Sequence, residues 1–127
     1  MNIQPANNNV NFGYKSILKD LFKSGELPTV KYGLYGKKLN NQNCSLEHLI
    51  PKSKGGPNTL NNYALADKFE NSRRGDRNIK DYLTTKMIAD YLIQFVDVKV
   101  DYITGIFDGN RYAYDLIQTF KKLGYNL

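Results

Sequence analysis

Hydrophobic residues recur at helical spacing in three parts of the chain. Five of them lie between residues 14 and 22, and the helix they predict is ended by Gly25 and Pro28. A longer apolar stripe between residues 82 and 96 predicts a further helix, and Asn110 opens a final helix that Gly124 closes. Because such stripes are typical of core-facing helices, residues 80–127 are expected to form a helical scaffold.

Between the first helix and this scaffold the pattern changes to short apolar runs. Residues 44–50 and 63–66 predict two short strands, and the glycine-rich segment 52–58 predicts the loop that joins them. Asp67 is placed to cap a helix that Gly75 ends. The sequence therefore predicts an α+β fold, in which a short β-hairpin and a helix pack against additional α-helices.

The size of the chain suits one domain. It has 127 residues, of which 41% are hydrophobic. Residues 1–12 are polar and rich in asparagine, so we expect a flexible N-terminal tail before a single domain over residues 13–127. The N-terminus lacks the pattern of a signal peptide, and the most apolar stretch, residues 87–107, contains too many polar residues to span a bilayer. These features predict a soluble, intracellular protein, or one delivered into cells by a carrier, with no membrane partner.

Positive charge is concentrated around the middle of the chain. The formal net charge is +6, and residues 12–43 and 51–80 each carry +4, whereas residues 81–127 carry −1. Such a distribution favours a polyanionic partner such as nucleic acid. The two basic segments flank the only histidine, His48.

The residues around His48 suit phosphodiester hydrolysis. Glu47 precedes His48 directly, Asn62 follows it by 14 residues, and Asn71 lies 9 residues further on. A histidine with a pKa near neutral can take a proton from water, and a hard divalent cation held by oxygen ligands can stabilise the developing charge. In the predicted strand–loop–strand–helix order, Glu47 and Asn71 could share a metal while His48 faces the substrate. Asn62 could hydrogen-bond the loop that positions His48.

The segment from Cys44 to Asp76 contains Glu47-His48-Leu49-Ile50-Pro51, Ser53-Lys54-Gly55-Gly56, Asn62, Asn71 and Arg73-Arg74-Gly75-Asp76. With these motifs the segment resembles the HNH nuclease family, whose members carry a ββα-metal finger. The resemblance implies a ββα-metal finger over residues 44–76, with His48 as general base. It also implies Glu47 and Asn71 as ligands of Mg²⁺ or Mn²⁺, and Asn62 as the structural asparagine of the loop.

The chain departs from the family pattern at two points. The first metal ligand is more often aspartate, and Glu47 is one methylene longer. Many members also carry cysteine pairs for a structural zinc, but Asp67 and Glu70 occupy the second pair's positions here, so no structural zinc is expected.

Basic residues beside this segment are candidates for nucleic-acid binding. They are Lys52 and Lys54 in the loop and Arg73, Arg74 and Arg77 at the end of the helix. The alternative for the arginines is a solvated helix end that the helix dipole favours.

Two classes of function are consistent with the sequence. One is a metal-dependent endonuclease of a viral or mobile element, acting on double-stranded DNA. The other is a catalytically silent HNH-like nucleic-acid-binding protein, or a structural component of a ribosome or virion. No separate DNA-reading module is evident, so we expect weak sequence specificity unless a protein partner supplies it.

Overall fold

The computed structural model describes residues 10–103 and 105–127, with side chains from residue 17 onwards. The helices are α1 (Val10–Lys23), α2 (Lys68–Arg74), α3 (Thr85–Leu92) and α4 (Gly109–Lys122), and the strands are β1 (Cys44–His48), β2 (Tyr63–Asp67), β3 (Lys99–Tyr102) and β4 (Gly105–Asp108). The strands form two antiparallel pairs, β1–β2 and β3–β4. The fold is therefore α+β, as the sequence predicts. None of the described helices is long and apolar enough to cross a bilayer.

Helix α1 begins earlier than the hydrophobic spacing suggests. It starts at Val10, inside the segment predicted to be a tail, and ends at Lys23. Val10 lies four residues before Tyr14, so it extends the helical spacing of apolar positions by one turn. The prediction of a tail is wrong for residues 10–12, and residues 1–9 lie outside the described residues.

The hairpin β1–β2 and helix α2 follow the predicted order. The register pairs Glu47 with Ala64 and His48 with Tyr63. Helix α2 begins after Asp67, whose side chain accepts hydrogen bonds from the backbone N–H groups of residues 69 and 70 at 3.0 and 3.1 Å. It ends at Gly75. The predicted cap and stop of this helix are confirmed.

Helices α3 and α4 hold strand β2 through two tyrosine hydroxyls. The Tyr91 hydroxyl accepts a hydrogen bond from the Leu65 N–H at 2.9 Å, and the Tyr112 hydroxyl donates to the Tyr63 carbonyl at 2.7 Å. The two hydroxyls are also 2.9 Å from each other. Because every member of this buried network has a partner, it fixes β2 against the C-terminal helices without an unsatisfied polar group.

The hydrophobic spacing predicts a mainly helical scaffold over residues 80–127, but this region also contains a hairpin. Strand β3 pairs with β4 so that Val100 lies opposite Phe107. Residues 99–102 alternate polar and apolar side chains, which is the signature of a strand that is buried on one face. This four-residue alternation lies inside the longer apolar stretch 87–107. The helical spacing of that stretch therefore does not indicate the strand.

Candidate active site

The loop between β1 and β2 is held by the side chain of Asn62, which is only 1% exposed. Its Oδ1 accepts a hydrogen bond from the Ile50 N–H at 2.9 Å. Its Nδ2 donates to the carbonyls of Ile50 and Pro57 at 3.0 and 3.1 Å. Asn62 therefore makes the loop hydrogen bonds that its position predicts, and they restrain the chain directly after His48.

Two glycines allow the loop to close on this asparagine. Gly55 has φ 85°, in the left-handed region that side chains disfavour. At Gly56, a Cβ would lie 1.8 Å from the Ile50 carbonyl oxygen and 2.9 Å from Nδ2 of Asn62. A larger residue at Gly56 would therefore displace the contact between Asn62 and the loop.

His48 is the last residue of β1, and its imidazole is half-buried. The ring packs edge to face against Tyr63, its partner on β2, with 4.9 Å between the ring centroids. Its Nε2 lies 2.9 Å from Oδ1 of Asn58. An amide oxygen only accepts hydrogen bonds, so neutral His48 carries its proton on Nε2 and keeps the lone pair on Nδ1. Among the described residues, Nδ1 has no hydrogen-bond partner.

Glu47 points away from His48, because successive side chains of a strand lie on opposite faces. Its carboxylate is 3% exposed. The Tyr35 hydroxyl donates to Oε2 at 2.5 Å, and Nη1 of Arg74 lies 3.4 Å from the same oxygen. The other oxygen, Oε1, accepts no hydrogen bond from any described residue.

Burial dominates the electrostatics of Glu47. It raises the pKa of the carboxyl above its ordinary value, and the Tyr35 hydrogen bond and the Arg74 guanidinium only partly offset this rise. The same burial, together with the charge of Glu47, raises the pKa of the Tyr35 hydroxyl, so that hydroxyl stays protonated and keeps donating. A further cation beside Oε1 would stabilise the ionised carboxylate.

Asn71 lies in α2 and faces the same side of β1 as Glu47. Its Nδ2 donates to the Leu46 carbonyl at 2.9 Å and to Oγ of Ser45 at 3.1 Å. Ser45 and Glu47 are two residues apart on the strand, so their side chains share a face. Oδ1 of Asn71 accepts no hydrogen bond from any described residue. Glu47 and Asn71 therefore lie on the α2 side of the strand, and each has one side-chain oxygen that accepts no hydrogen bond from a described residue.

These two oxygens suit a hard divalent cation. Carboxylate and amide oxygens are the ligands that Mg²⁺ takes in proteins, and Mg²⁺ usually keeps several waters as well. No cluster of three or more His, Cys, Asp or Glu side chains occurs in the part of the chain that the structure describes. A cation at Glu47 and Asn71 would therefore depend on water or substrate for its other ligands.

Arg74 is turned inward, so the predicted phosphate contact of this residue is wrong. It is 2% exposed and is paired with Glu47. Its guanidinium donates to the backbone carbonyls of Arg77, His48 and Leu49 at 2.8, 2.8 and 3.1 Å. The physical reason is the helical period, since Arg74 follows Asn71 by three residues and therefore shares the face of α2 that packs on β1.

The other four predicted nucleic-acid contacts, Lys52, Lys54, Arg73 and Arg77, are exposed. Arg73 lies 3.6 Å from the carboxylate of Glu70, with 69% of its side chain exposed. Nη1 of Arg77 donates to the Arg73 carbonyl at 2.5 Å and to the Tyr82 hydroxyl at 3.2 Å. Their exposure is compatible both with phosphate contacts and with a solvated helix end.

Two residues of this site, Asn58 and Tyr35, are not predicted from the sequence. Asn58 follows Gly55-Gly56-Pro57 directly, and a polar residue at the end of such a loop is a signal that could have been used. Tyr35 lies in a separate segment, 12 residues before Glu47, and no local pattern points to their contact.

Comparisons with models of protein families, with curated proteins and with solved structures found no match for this chain. The function is therefore inferred from the geometry of the residues themselves.

Proposed function

We propose that this protein is a metal-dependent endonuclease of the HNH type, which hydrolyses phosphodiester bonds of DNA. The hairpin β1–β2 and helix α2 would form its ββα-metal finger. One observation carries the proposal: Asn58 orients the imidazole of His48 and leaves Nδ1 without a partner among the described residues, on the same strand as Glu47 and beside the helix that holds Asn71.

His48 would act as the general base. The lone pair on Nδ1 can take a proton from water as the water attacks phosphorus, which contributes about 10²–10⁴-fold to the rate. The edge contact with Tyr63 and the hydrogen bond to Asn58 restrain the ring. The lone pair therefore keeps a fixed direction, which lowers the entropic cost of the reaction. When Nδ1 becomes protonated, the amide oxygen of Asn58 still accepts the Nε2 proton.

Glu47 and Asn71 would hold Mg²⁺ or Mn²⁺ through Oε1 and Oδ1. A bound cation supplies stabilisation of the negative charge on the phosphate and on the leaving oxygen. Tyr35 and Arg74 hold the other carboxylate oxygen of Glu47, so they orient Oε1. This restraint offsets the extra freedom that the longer side chain of glutamate has relative to aspartate.

A catalytically silent nucleic-acid-binding protein, or a structural component of a ribosome or virion, is the second candidate. A specific observation favours it: Glu47 is buried and already paired with Arg74. Its charge is therefore compensated without a metal. In that case the His48–Asn58 pair would only stabilise the loop.

Plasmid cleavage should require Mg²⁺ or Mn²⁺, and replacing either proposed ligand should change this requirement. We expect Glu47→Gln and Asn71→Ala each to raise the Mg²⁺ concentration for half-maximal cleavage at least about tenfold, or to abolish cleavage. Asn61→Ala is the matched control, because Asn61 is an exposed asparagine in the loop between β1 and β2 and is not a proposed ligand. The measurement is a Mg²⁺ titration of supercoiled-plasmid cleavage, with unfolding midpoints to verify that each variant is folded.

The outcomes of this titration separate the two candidates. A parent protein that binds duplex DNA but never cuts it, at any concentration of Mg²⁺ or Mn²⁺, would favour the silent role. Cleavage with the same half-maximal Mg²⁺ concentration in every variant would place the metal ligands elsewhere.

Replacing Asn58 should change the tautomer of His48. Because His48 is the only histidine, its ¹⁵N signals are unambiguous. We expect the long-range ¹H–¹⁵N spectrum of the neutral imidazole to show the proton on Nε2 in the parent and a mixture of tautomers in Asn58→Ala. The same variant should lose about tenfold or more in kcat with little change in KM, because the base is misdirected while binding is retained. A proton found on Nδ1 in the parent would contradict this assignment.

A further inference from the structure

A concave pocket of about 300 Å³ lies where the C-terminal ends of α2 and α4 approach the loop that follows β1. Three exposed cationic side chains line it, and they come from three separate segments: Lys54, Arg77 and Lys122. The buried guanidinium of Arg74 and the side chain of Asn78 complete the polar part of the lining, and no described carboxylate belongs to it. We call this cavity the α4 pocket.

The three exposed cations of the α4 pocket lack acidic partners among the described residues. Lys54 and Lys122 make no ion pair or side-chain hydrogen bond there. Arg77 donates only to a backbone carbonyl and to a tyrosine hydroxyl. Like charges that converge on a concave surface repel one another and focus the field toward an anion. Lysine binds phosphate as a point charge and arginine in a bidentate manner, so this lining suits a phosphate group.

The helix dipole does not by itself account for the position of Lys122. Both Lys121 and Lys122 occupy the last turn of α4, where the dipole stabilises cations. Only Lys122 lines the α4 pocket. Lys121 therefore has the same charge and lies in the same last turn of α4, but it does not line the α4 pocket.

The α4 pocket also adjoins the strand that carries the proposed base. Nη1 of Arg74, whose side chain lines the pocket, donates to the backbone carbonyl of His48 at 2.8 Å. Ile50 and Pro51, which follow His48 by two and three residues, form part of the same lining. A nucleic-acid strand carries one phosphate per nucleotide. If one of its phosphates were bound at His48, neighbouring phosphates of the same nucleic-acid strand would therefore lie near the α4 pocket.

We propose that the α4 pocket binds a backbone phosphate of the nucleic-acid substrate, other than the one that is cleaved, through Lys54, Arg77 and Lys122. The identity of the ligand as nucleic acid rests on the proposed function. Helix α4, which the sequence predicts to be scaffold, would then also position the nucleic-acid strand. Because phosphate contacts carry no base information, this site would add affinity without sequence preference.

The test compares Lys122→Ala with Lys121→Ala, both in a His48→Ala background so that binding is measured without cleavage. Titrations with two unrelated DNA duplexes at several salt concentrations give the logarithmic salt dependence of binding. We expect Lys122→Ala to lower this slope by about 0.9 and to weaken binding about fivefold at moderate salt, equally for both duplexes. Lys121→Ala removes the same charge and is expected to have less than half of this effect.

Titration with inorganic phosphate, followed by backbone amide shifts, provides a second readout. In the parent we expect shifts at residues 77–79 and 122–123, and we expect Lys122→Ala to lose them while Lys121→Ala keeps them. Equal slopes in the two variants, without phosphate shifts in the pocket, would overturn this proposal even when the parent cleaves DNA. Phosphate shifts in a parent that neither binds nor cleaves nucleic acid would overturn the nucleic-acid assignment together with the proposed function.

Discussion

His48→Ala is expected to reduce cleavage of plasmid DNA by about 10²–10⁴-fold, because it removes the only imidazole of the chain and with it the proposed proton acceptor, Nδ1. The fold should survive, since the substitution loses one half-buried ring, its edge contact with Tyr63 and its hydrogen bond with Asn58. Such an edge contact contributes about 0.5–1.5 kcal/mol beyond area burial. Cleavage rates under single-turnover conditions at matched Mg²⁺ give the effect on chemistry.

Two measurements separate a loss of chemistry from a loss of structure. The affinity of His48→Ala for duplex DNA should remain within about twofold of the parent, because the proposed phosphate contacts lie on other side chains. Its unfolding midpoint should stay close to that of the parent. A variant that cuts at the parent's rate would exclude His48 as the base. A lowered unfolding midpoint would assign His48 a structural role, and a loss of DNA binding at an unchanged midpoint would assign it a binding role.

Arg74→Ala is expected to lower the free energy of unfolding by about 3–5 kcal/mol, because it breaks a buried ion pair by removing one partner. Glu47 would then remain buried without its cation, and three backbone carbonyls would lose their donor. This is a large part of the roughly 5–15 kcal/mol by which domains are stable. Urea denaturation followed by circular dichroism measures the change.

Arg73→Ala is the matched control for this prediction. It removes the same charge from the adjacent position, but the Arg73 side chain is 69% exposed and its ion pair with Glu70 is long, at 3.6 Å. We expect Arg73→Ala to change the free energy of unfolding by no more than about 0.5 kcal/mol. Arg74→Lys should also be destabilising, because an ammonium group cannot replace a guanidinium that reaches three carbonyls. An equal decrease in the free energy of unfolding for Arg73→Ala and Arg74→Ala would contradict the inward orientation of Arg74.

The features that are predictable from the sequence depend on short-range rules. Asp67 caps α2 because a side-chain carboxylate can accept from N–H groups two and three residues later. Asn62 reaches Ile50 and Pro57 because the loop that joins β1 and β2 folds back onto the residue that precedes β2. Such interactions need only the local order of strand, loop and helix, which hydrophobic spacing and glycine positions indicate.

The features that are not predictable depend on which faces pack in three dimensions. Whether Arg74 points inward or outward is decided by the orientation of a seven-residue helix, and a row of arginines in the sequence indicates only a basic surface. The contact of Tyr35 with Glu47 joins two segments whose relative position no local pattern specifies. The hairpin β3–β4 is different, because its alternating pattern is present but is surrounded by apolar residues that also suit a helix.

The most direct test of the proposed metal-dependent, His48-based hydrolysis is the rate at which a supercoiled plasmid is nicked or linearised in four parallel reactions. These contain the parent or His48→Ala, each with Mg²⁺ or with EDTA, and both proteins are purified identically so that a contaminating nuclease would appear in both. We expect conversion of the plasmid only by the parent with Mg²⁺. An intact plasmid in that reaction, cleavage by the parent in EDTA, or equal cleavage by His48→Ala would contradict the proposal.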